Sequence, residues 1–265
     1  MDWQQDKNWA SFKEKWLRKS GIDLNLYKPT QMHRRINNFM ERNGTNDYDK
    51  FLDMVSKNEE LYHKFFEHLT INVTEFFRTP EKFDELEKII IPSLLKKSSK
   101  LRIWSAGCSI GAEPYSLAMM LNDITPSVQH KILATDLDLE MLTRAKAGGP
   151  YLLNEIKNLP ANRLQKYFVK TDEDYKVVDE IKRKVEFKRH NLLKDKFETG
   201  FDLILCRNVV IYFTEEAKDV LYRNFFASLK EGGILFVGGT EAIMNFRDMG
   251  YVQIRPFFYQ KPEKK

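Results

Sequence analysis

The chain has little of what marks several common protein classes. Its 265 residues include only two cysteines, Cys108 and Cys206, far apart and in no C-x-x-C pair, so neither a disulfide framework nor a zinc site is indicated. No apolar run approaches the ~20 residues that span a bilayer, and the opening Met-Asp-Trp-Gln-Gln-Asp-Lys has no signal-peptide pattern. A cytoplasmic location without direct membrane insertion is the expectation. Internal repeats, low-complexity stretches and the full G-x-G-x-x-G of dinucleotide sites are all missing. The net charge of +5 suits an acidic partner but equally an ordinary solvated surface. Core material is plentiful: 42% of residues are hydrophobic and 13% aromatic, enough for one large domain or two smaller ones.

The most informative stretch is Leu101-Arg-Ile-Trp-Ser-Ala-Gly-Cys-Ser-Ile-Gly-Ala-Glu-Pro-Tyr115. An apolar run ending at Trp104, small residues containing Gly107 and Gly111, and a helical pattern opened by Glu113-Pro114 read as strand, tight loop and helix. Such a loop lets a ligand approach the backbone, and the helix N-terminus offers unpaired N–H groups. Two glycines can also be purely steric. The next apolar run, Lys131-Ile-Leu-Ala-Thr-Asp136, ends in an acid at the spacing where a carboxylate accepts from both ribose hydroxyls of a nucleotide. Alternatively Asp136 caps the helix that carries Met141, Leu142 and Ala145.

Residues 1–71 read as an all-helical domain. Trp9, Phe12, Trp16 and Leu17 share one helical face, and Met32, Ile36, Phe39 and Met40 form the buried face of a second helix that starts at Pro29. Two more helices follow, from Asp47 and from about Glu59. On the second helix Arg34, Arg35 and Arg42 fall in one arc away from the apolar stripe, a solvated surface or, opposite an acidic protein, a docking surface. Residues 72–91 read as linker and connecting helix, with Thr79-Pro80 as cap and first-turn proline. Within it Asn72, Thr74 and Arg78 either line a cleft or tie the linker down. From 92 to 265 strands alternate with helices, which predicts an α/β domain with a mostly parallel sheet. Between about 147 and 184 the alternation breaks, and Tyr167–Val169 with Tyr175–Val178 predict a small inserted hairpin.

Polar residues cluster after successive strands: Glu113, Asp136, Asn191-Leu192 and Arg207-Asn208. Open α/β sheets bind ligands outside the carboxyl ends of their strands, so one site can use all of these. With these motifs the chain resembles the class I S-adenosylmethionine-dependent methyltransferases, and more closely the chemotaxis receptor methyltransferases of the CheR family. The resemblance covers nearly the whole chain and rests on Asn72-Val-Thr-Glu-Phe-Phe-Arg78, Trp104–Tyr115, Ala134-Thr-Asp-Leu-Asp138, the inserted hairpin, Cys206-Arg-Asn-Val-Val-Ile-Tyr-Phe213 and Gly232–Glu241.

The resemblance implies a Rossmann-like methyltransferase sheet with an inserted antiparallel β-subdomain, preceded by the all-α domain. It implies S-adenosylmethionine as cofactor and transfer of methyl to glutamate side chains of chemoreceptors. Asn72, Thr74 and Arg78 would then line the cofactor cleft, Glu113 would bind near the amino-acid end, Asp136 the ribose, and Asn191 and Leu192 the adenine region. Arg207 and Asn208 would close the site, Tyr212 would face the transferring methyl, and Arg78 or Tyr212 would orient the acceptor. Arg34, Arg35 and Arg42 would dock the receptor.

A glutamate acceptor, with an unperturbed pKa of ~4.3, is ionised at neutral pH and needs no general base. None of the five histidines falls in these motifs, and no metal is expected. Methyltransferases acting on RNA or on another protein share the fold. Against a nucleic-acid substrate, the segment Cys206-Arg-Asn-Val209 lacks the Asn/Asp-Pro-Pro-aromatic motif that holds a base in similar amino-methyltransferases.

Overall fold

The computed structural model describes residues 7–70 and 74–264. They fall into two compact units. The first comprises the N-terminal helices together with Tyr212–Asp219.

Helix α1 (Lys7–Ser20) buries Trp9, Phe12 and Trp16, whose three- and four-residue spacing aligns them along one face. Leu17 departs from the expected core and is 38% exposed, because the residue after Trp16 is rotated ~100° off that line. Pro29 opens α2 (Pro29–Arg42), which buries Met32, Ile36 and Met40. Asp47 caps α3 (Tyr48–Lys57) by accepting from the Lys50 N–H at 2.9 Å, and Asn58 caps α4 (Glu59–Thr70) by accepting from Leu61 at 3.0 Å. The core is aromatic: Trp16 packs edge-on against Phe65 at 4.8 Å between centroids, and Phe51 does the same. Tyr27 bridges Phe213, with the Lys28 N–H donating to the Tyr212 carbonyl and Thr214 N–H to that of Leu26.

In the second unit the connecting segment runs through α5 (Pro80–Glu85), one π-helical turn (Leu86–Ile90) and α6 (Ile91–Leu95). The wide turn precedes Pro92, whose ring would crowd a regular α-helical carbonyl four residues back. Thr79 does not cap α5. Its backbone is left-handed, at φ 64°, and its hydroxyl is used elsewhere, as described below.

The α/β part follows in the order β1 (Arg102–Ala106), α7 (Ala112–Ile124), β2 (Lys131–Asp136), α8 (Leu139–Ala147), α9 (Leu153–Ile156), α10 (Ala161–Tyr167), β3 (Phe168–Lys170), β4 (Tyr175–Val177), α11 (Asp179–Lys182), β5 (Val185–Arg189) and β6 (Phe201–Cys206). It is completed by α12 (Glu215–Ser228), of which the residues from Val220 belong to this unit, β7 (Leu229–Val237), β8 (Val252–Arg255) and β9 (Phe258–Gln260). Strands β3 and β4 form the inserted hairpin. The remaining seven make one sheet in the order β5-β2-β1-β6-β7-β9-β8, with β9 antiparallel to both neighbours and the other pairings parallel. Every residue of β6 is buried, as a central parallel strand covered on both faces requires. The strand order reverses between β1 and β6, and at such a switch point the two connections diverge and leave a crevice at the carboxyl ends. Among the described residues no helix is long and apolar enough to cross a membrane.

Trp16 tests the helical core. It is fully buried, and its Nε1 has no hydrogen-bond partner among the described residues. Trp16→Ala is expected to cost about 3–5 kcal/mol, whereas Trp16→Phe, which also removes the unpaired donor, should cost far less. Urea melts that show equal losses would mean that the indole N–H is satisfied.

Candidate active site

The loop after β1 is pinned to β2. The Gly107 and Cys108 N–H groups both donate to the Thr135 carbonyl, at 2.8 and 2.9 Å. Gly107 has φ +82°, and a Cβ there would lie 2.4 Å from Val209 Cγ2, so a side chain is excluded both by conformation and by space. Gly111, at φ +86°, turns the chain into α7, where a Cβ would meet Ala145 at 3.0 Å.

Asp136 closes this loop from the end of β2. Its Oδ2 accepts from the Ser109 N–H at 2.7 Å and its Oδ1 from Asp138 at 3.0 Å. The helix cap is Asp138, which accepts from Glu140 and Met141 at 3.0 and 3.3 Å, so Asp136 is not spent on capping α8. Burial pushes the Asp136 carboxyl above its ordinary range while the backbone N–H groups act against that shift. Each oxygen keeps lone-pair capacity for a hydroxyl donor. From the next strand, the His190 N–H donates to the Asp136 carbonyl at 2.9 Å, which brings half-buried Asn191 and Leu192 next in the chain. Asn191 Oδ1 accepts from Leu193 at 2.9 Å, which leaves the amide nitrogen as its available group.

A second cluster is built around Glu113 and Arg207. Glu113 Oε1 accepts from Ser105 Oγ at 2.8 Å, and Oε2 faces Arg207 Nη1 at 3.4 Å. Arg207 Nη2 donates to the Arg78 carbonyl at 2.8 Å and to Thr79 Oγ1 at 3.2 Å, and the guanidinium lies against the rings of Phe236 and Phe83 at 4.6 and 5.3 Å. This explains the left-handed Thr79: its hydroxyl serves Arg207 instead of the helix. Buried Arg207 Nε has no partner among the described residues. Burial raises the Glu113 pKa, against the pull of Arg207 and Ser105, and burial lowers that of Arg207. Thr74, Glu75, Arg78, Gly107, Cys108 and Asn208 join Glu113 and Arg207 around a small cavity of about 20 Å³.

The structure therefore brings together Thr74, Arg78, Glu113, Arg207 and Asn208, with Asp136 tied to the adjoining loop. Asn72 lies outside the described residues. Tyr212 belongs to the helical unit, where it sits in the electrostatic field of Arg35. Arg34 and Arg42 are exposed. Arg35 is half-buried: it donates to the His68 carbonyl, and the His68 ring lies 3.1 Å from the Arg35 carbonyl. Ser105 and Thr79 were not legible as site residues, since Ser105 reads as strand and Thr79-Pro80 as a helix start. Burial raises the thiol pKa of Cys108 and Cys206, which suits packing rather than nucleophilic use. No metal-binding cluster occurs among the described residues.

This strand order, with a glycine loop after the first strand and an acid ending the second, defines a class I S-adenosylmethionine-dependent methyltransferase. The donor set fits that cofactor: a carboxylate for ribose hydroxyls, a buried carboxylate for an ammonium, and a buried guanidinium with an unused N–H for a carboxylate. The family described as "CheR methyltransferase, SAM binding domain" matches residues 72–255, and "CheR methyltransferase, all-alpha domain" matches residues 7–70. The chain is 42% identical over 257 residues to a "Chemotaxis protein methyltransferase" of Listeria monocytogenes, covering 97% of this chain and 98% of that protein. It is 36% identical to "Chemotaxis protein methyltransferase 1" of Pseudomonas aeruginosa, covering 86% and 87%. A "Chemotaxis protein methyltransferase" of Borreliella burgdorferi is 34% identical, covering 91% and 89%. The chain belongs to the CheR methyltransferase family.

Asp136→Ala should weaken S-adenosylmethionine binding by about 1–3 kcal/mol, the range for losing hydrogen bonds to a charged acceptor. Because burial raises the pKa of both Asp136 and Glu113, protons return to them at a higher pH than to ordinary carboxylates. Neutral acids neither pair with an ammonium nor accept strongly from hydroxyls, so wild-type affinity should fall on acidification already above the usual carboxylate range of ~4. Calorimetry across pH checks both, and unchanged affinity in a folded Asp136→Ala variant would remove Asp136 from the site.

Proposed function

We propose that this chain transfers a methyl group from S-adenosylmethionine to glutamate side chains of chemotaxis receptors, giving the methyl ester and S-adenosylhomocysteine, and that it acts in the cytoplasm. The reading is carried by the cavity at the switch point, which is lined by two arginines and a buried carboxylate and by no histidine. Near full-length likeness to proteins named chemotaxis methyltransferases supports it.

S-adenosylmethionine supplies a sulfonium-bound methyl group, and its transfer to a carboxylate extinguishes two opposite charges. What the protein must then provide is in-line placement and exclusion of water, which in favourable cases contribute about 7–11 kcal/mol. Glu113 and Arg207 are suited to anchor a zwitterionic amino-acid group, Asp136 a ribose, and Asn191 with Leu192 a base. Asn72, Thr74 and Asn208 complete the cofactor side in this reading. Arg78, at the cavity, would orient the acceptor carboxylate, and Tyr212 is assigned to the methyl-facing side on the family motif alone. For docking, Arg34 and Arg42 offer free charge to an acidic receptor helix, and Arg35, bound to α4, serves mainly to hold its own helix pair.

With an acceptor already ionised, the rate at saturating cofactor should be nearly flat from about pH 6 to 8. Labelled S-adenosylmethionine incubated with receptor should release base-labile methanol. A steep rise near pH 7 at constant ionic strength would instead indicate a titrating catalytic base.

Replacing both Arg34 and Arg42 by Ala should leave cofactor affinity unchanged and lower receptor methylation at subsaturating receptor. Attraction between exposed charges is screened over ~8 Å at physiological ionic strength, so added salt should weaken the wild type more than the variant. Equal salt sensitivity would assign these arginines to ordinary solvated surface.

A further inference from the structure

Glu241 ends the Gly238-Gly-Thr-Glu241 stretch after β7, and neither the cofactor nor the acceptor reading uses it. Its side chain is a buried carboxylate, 4% exposed. It is surrounded by backbone N–H groups. Oε2 accepts from Asn208 at 2.6 Å and from Gly238 at 2.8 Å, Oε1 accepts from Ile211 at 3.3 Å, and the Val210 N–H contributes as well. The chain reverses tightly enough to bring these groups together, with the Glu241 N–H donating to the Gly238 carbonyl at 2.9 Å. Gly238 is required at its place: a Cβ there would stand 2.3 Å from Glu241 Oε2 and 3.0 Å from the Asn208 nitrogen.

The segment so held is the one that follows β6 and supplies Arg207 and Asn208 to the cavity. It does not rest in a relaxed conformation. Asn208 has φ +60°, a left-handed backbone that an L-residue adopts at a cost. Backbone N–H groups that no strand pairs also have to be satisfied in a buried place, and the Glu241 carboxylate does so for several residues at once.

We infer that Glu241 is a positioning residue for methyl transfer: by binding the N–H groups of Asn208, Val210 and Ile211 from below, it fixes the strained loop that presents Arg207 and Asn208 to the cavity. This rests on the reading of that cavity as the transfer site. It makes the stretch after β7 part of the active-site framework, although none of its side chains lines the cavity. Replacing the carboxylate by an amide keeps its size and turns one acceptor into a donor that faces other donors. The loop then has no single conformation that satisfies its N–H groups, and Arg207 and Asn208 lose their fixed placement.

The test compares wild type with Glu241→Gln, using hydrogen exchange, calorimetry with S-adenosylmethionine, and steady-state rates normalised to folded protein. Amides of Asn208, Val210 and Ile211 should exchange at least ~10-fold faster in the variant, with those of β1 and β6 unchanged. At saturating cofactor kcat should fall about 10- to 100-fold, the scale of a small misplacement, and cofactor Kd should rise by up to ~10-fold, because Arg207 and Asn208 also stand on the cofactor side. Gly238→Ala, which crowds the carboxylate without altering it, should give the same pattern, and the double variant should be little worse than the poorer single one. If Glu241→Gln does not fold, Gly238→Ala carries the comparison. A folded variant with wild-type loop exchange and wild-type kcat overturns the inference, and so does acceleration spread evenly over the sheet, which would mark a purely structural role. Exchange and calorimetry involve no acceptor. Failure of wild type itself to methylate receptor glutamates would therefore count against the proposed function and not against Glu241.

Discussion

The site depends on keeping two opposite charges, Glu113 in the first turn of α7 and buried Arg207 just after β6, largely out of water at a separation of 3.4 Å. Burial pushes the carboxyl up and the guanidinium down, so for each partner desolvation outweighs the attraction between them. A pair in that balance adds little to folding. Its use is to be completed by a ligand that carries an ammonium and a carboxylate together. The surroundings are arranged to keep the guanidinium in place meanwhile: the Arg78 carbonyl and Thr79 hydroxyl accept from one end, and two aromatic rings flank it. Interactions prepared before the ligand arrives need no reorganisation when it does.

That requirement explains where the backbone is strained. Among the described residues Phe77, Thr79, Ser109, Asn208 and Phe257 are the non-glycine residues with positive φ, and the first four border the site. Such conformations cost on the order of 1–3 kcal/mol each and persist only where neighbours over-determine them. The neighbours are identifiable. Ser116 Oγ accepts from the Phe77 N–H at 3.1 Å, the Glu155 carbonyl accepts from Phe76 at 2.8 Å, Asp136 accepts from Ser109 and Glu241 from Asn208. Lys157 holds Glu75 at 2.7 Å. The insert between β2 and β5 thus does structural duty for the linker, through Glu155 and Lys157, and so for the Arg78 carbonyl to which Arg207 is bound.

Much of this was legible in the sequence, and the limits have physical causes. Strand ends announce themselves, because an apolar run stops at a polar residue, and that made Glu113, Asp136, Asn191 and Arg207 visible as one set. Which carboxylate caps a helix was not visible, since Asp136 and Asp138 satisfy the same local pattern and only the tertiary path assigns the cap to Asp138. Thr79-Pro80 has the composition of a helix start, but a partner nearly 130 positions away in the chain claims the hydroxyl. Arg35 lies on the charged side of its helix by period, yet α4 supplies a carbonyl that takes it out of solvent. Residues 206 to 213 read as one motif, although the compact units divide between Ile211 and Tyr212.

Three carboxylates, part-buried Glu113 and Asp136 and buried Glu241, share a consequence. Each has its pKa raised by burial, so the folded state holds these protons more tightly than the unfolded chain does. The stability this gives is fully present below the unfolded pKa values and is lost as pH rises through the folded ones. Where they are ionised, the cofactor-free domain therefore carries these charges at some expense of stability. Asp123 works in the opposite direction: burial alone would raise it, but hydrogen bonds from Lys166, Tyr167 and Arg163 outweigh that and lower its pKa, so its contribution is present at neutral pH and lost on acidification. The division follows position. The lowered carboxylate lies near the end of α7 and ties helices together, whereas Glu113 stands in the first turn of α7 and Asp136 at the end of β2, where both have acceptor capacity left for a ligand, and Glu241, after β7, is occupied by the loop itself. A ligand that supplies an ammonium and hydroxyl donors to the first two recovers part of that expense, and its effect on stability is largest at the pH where both are ionised.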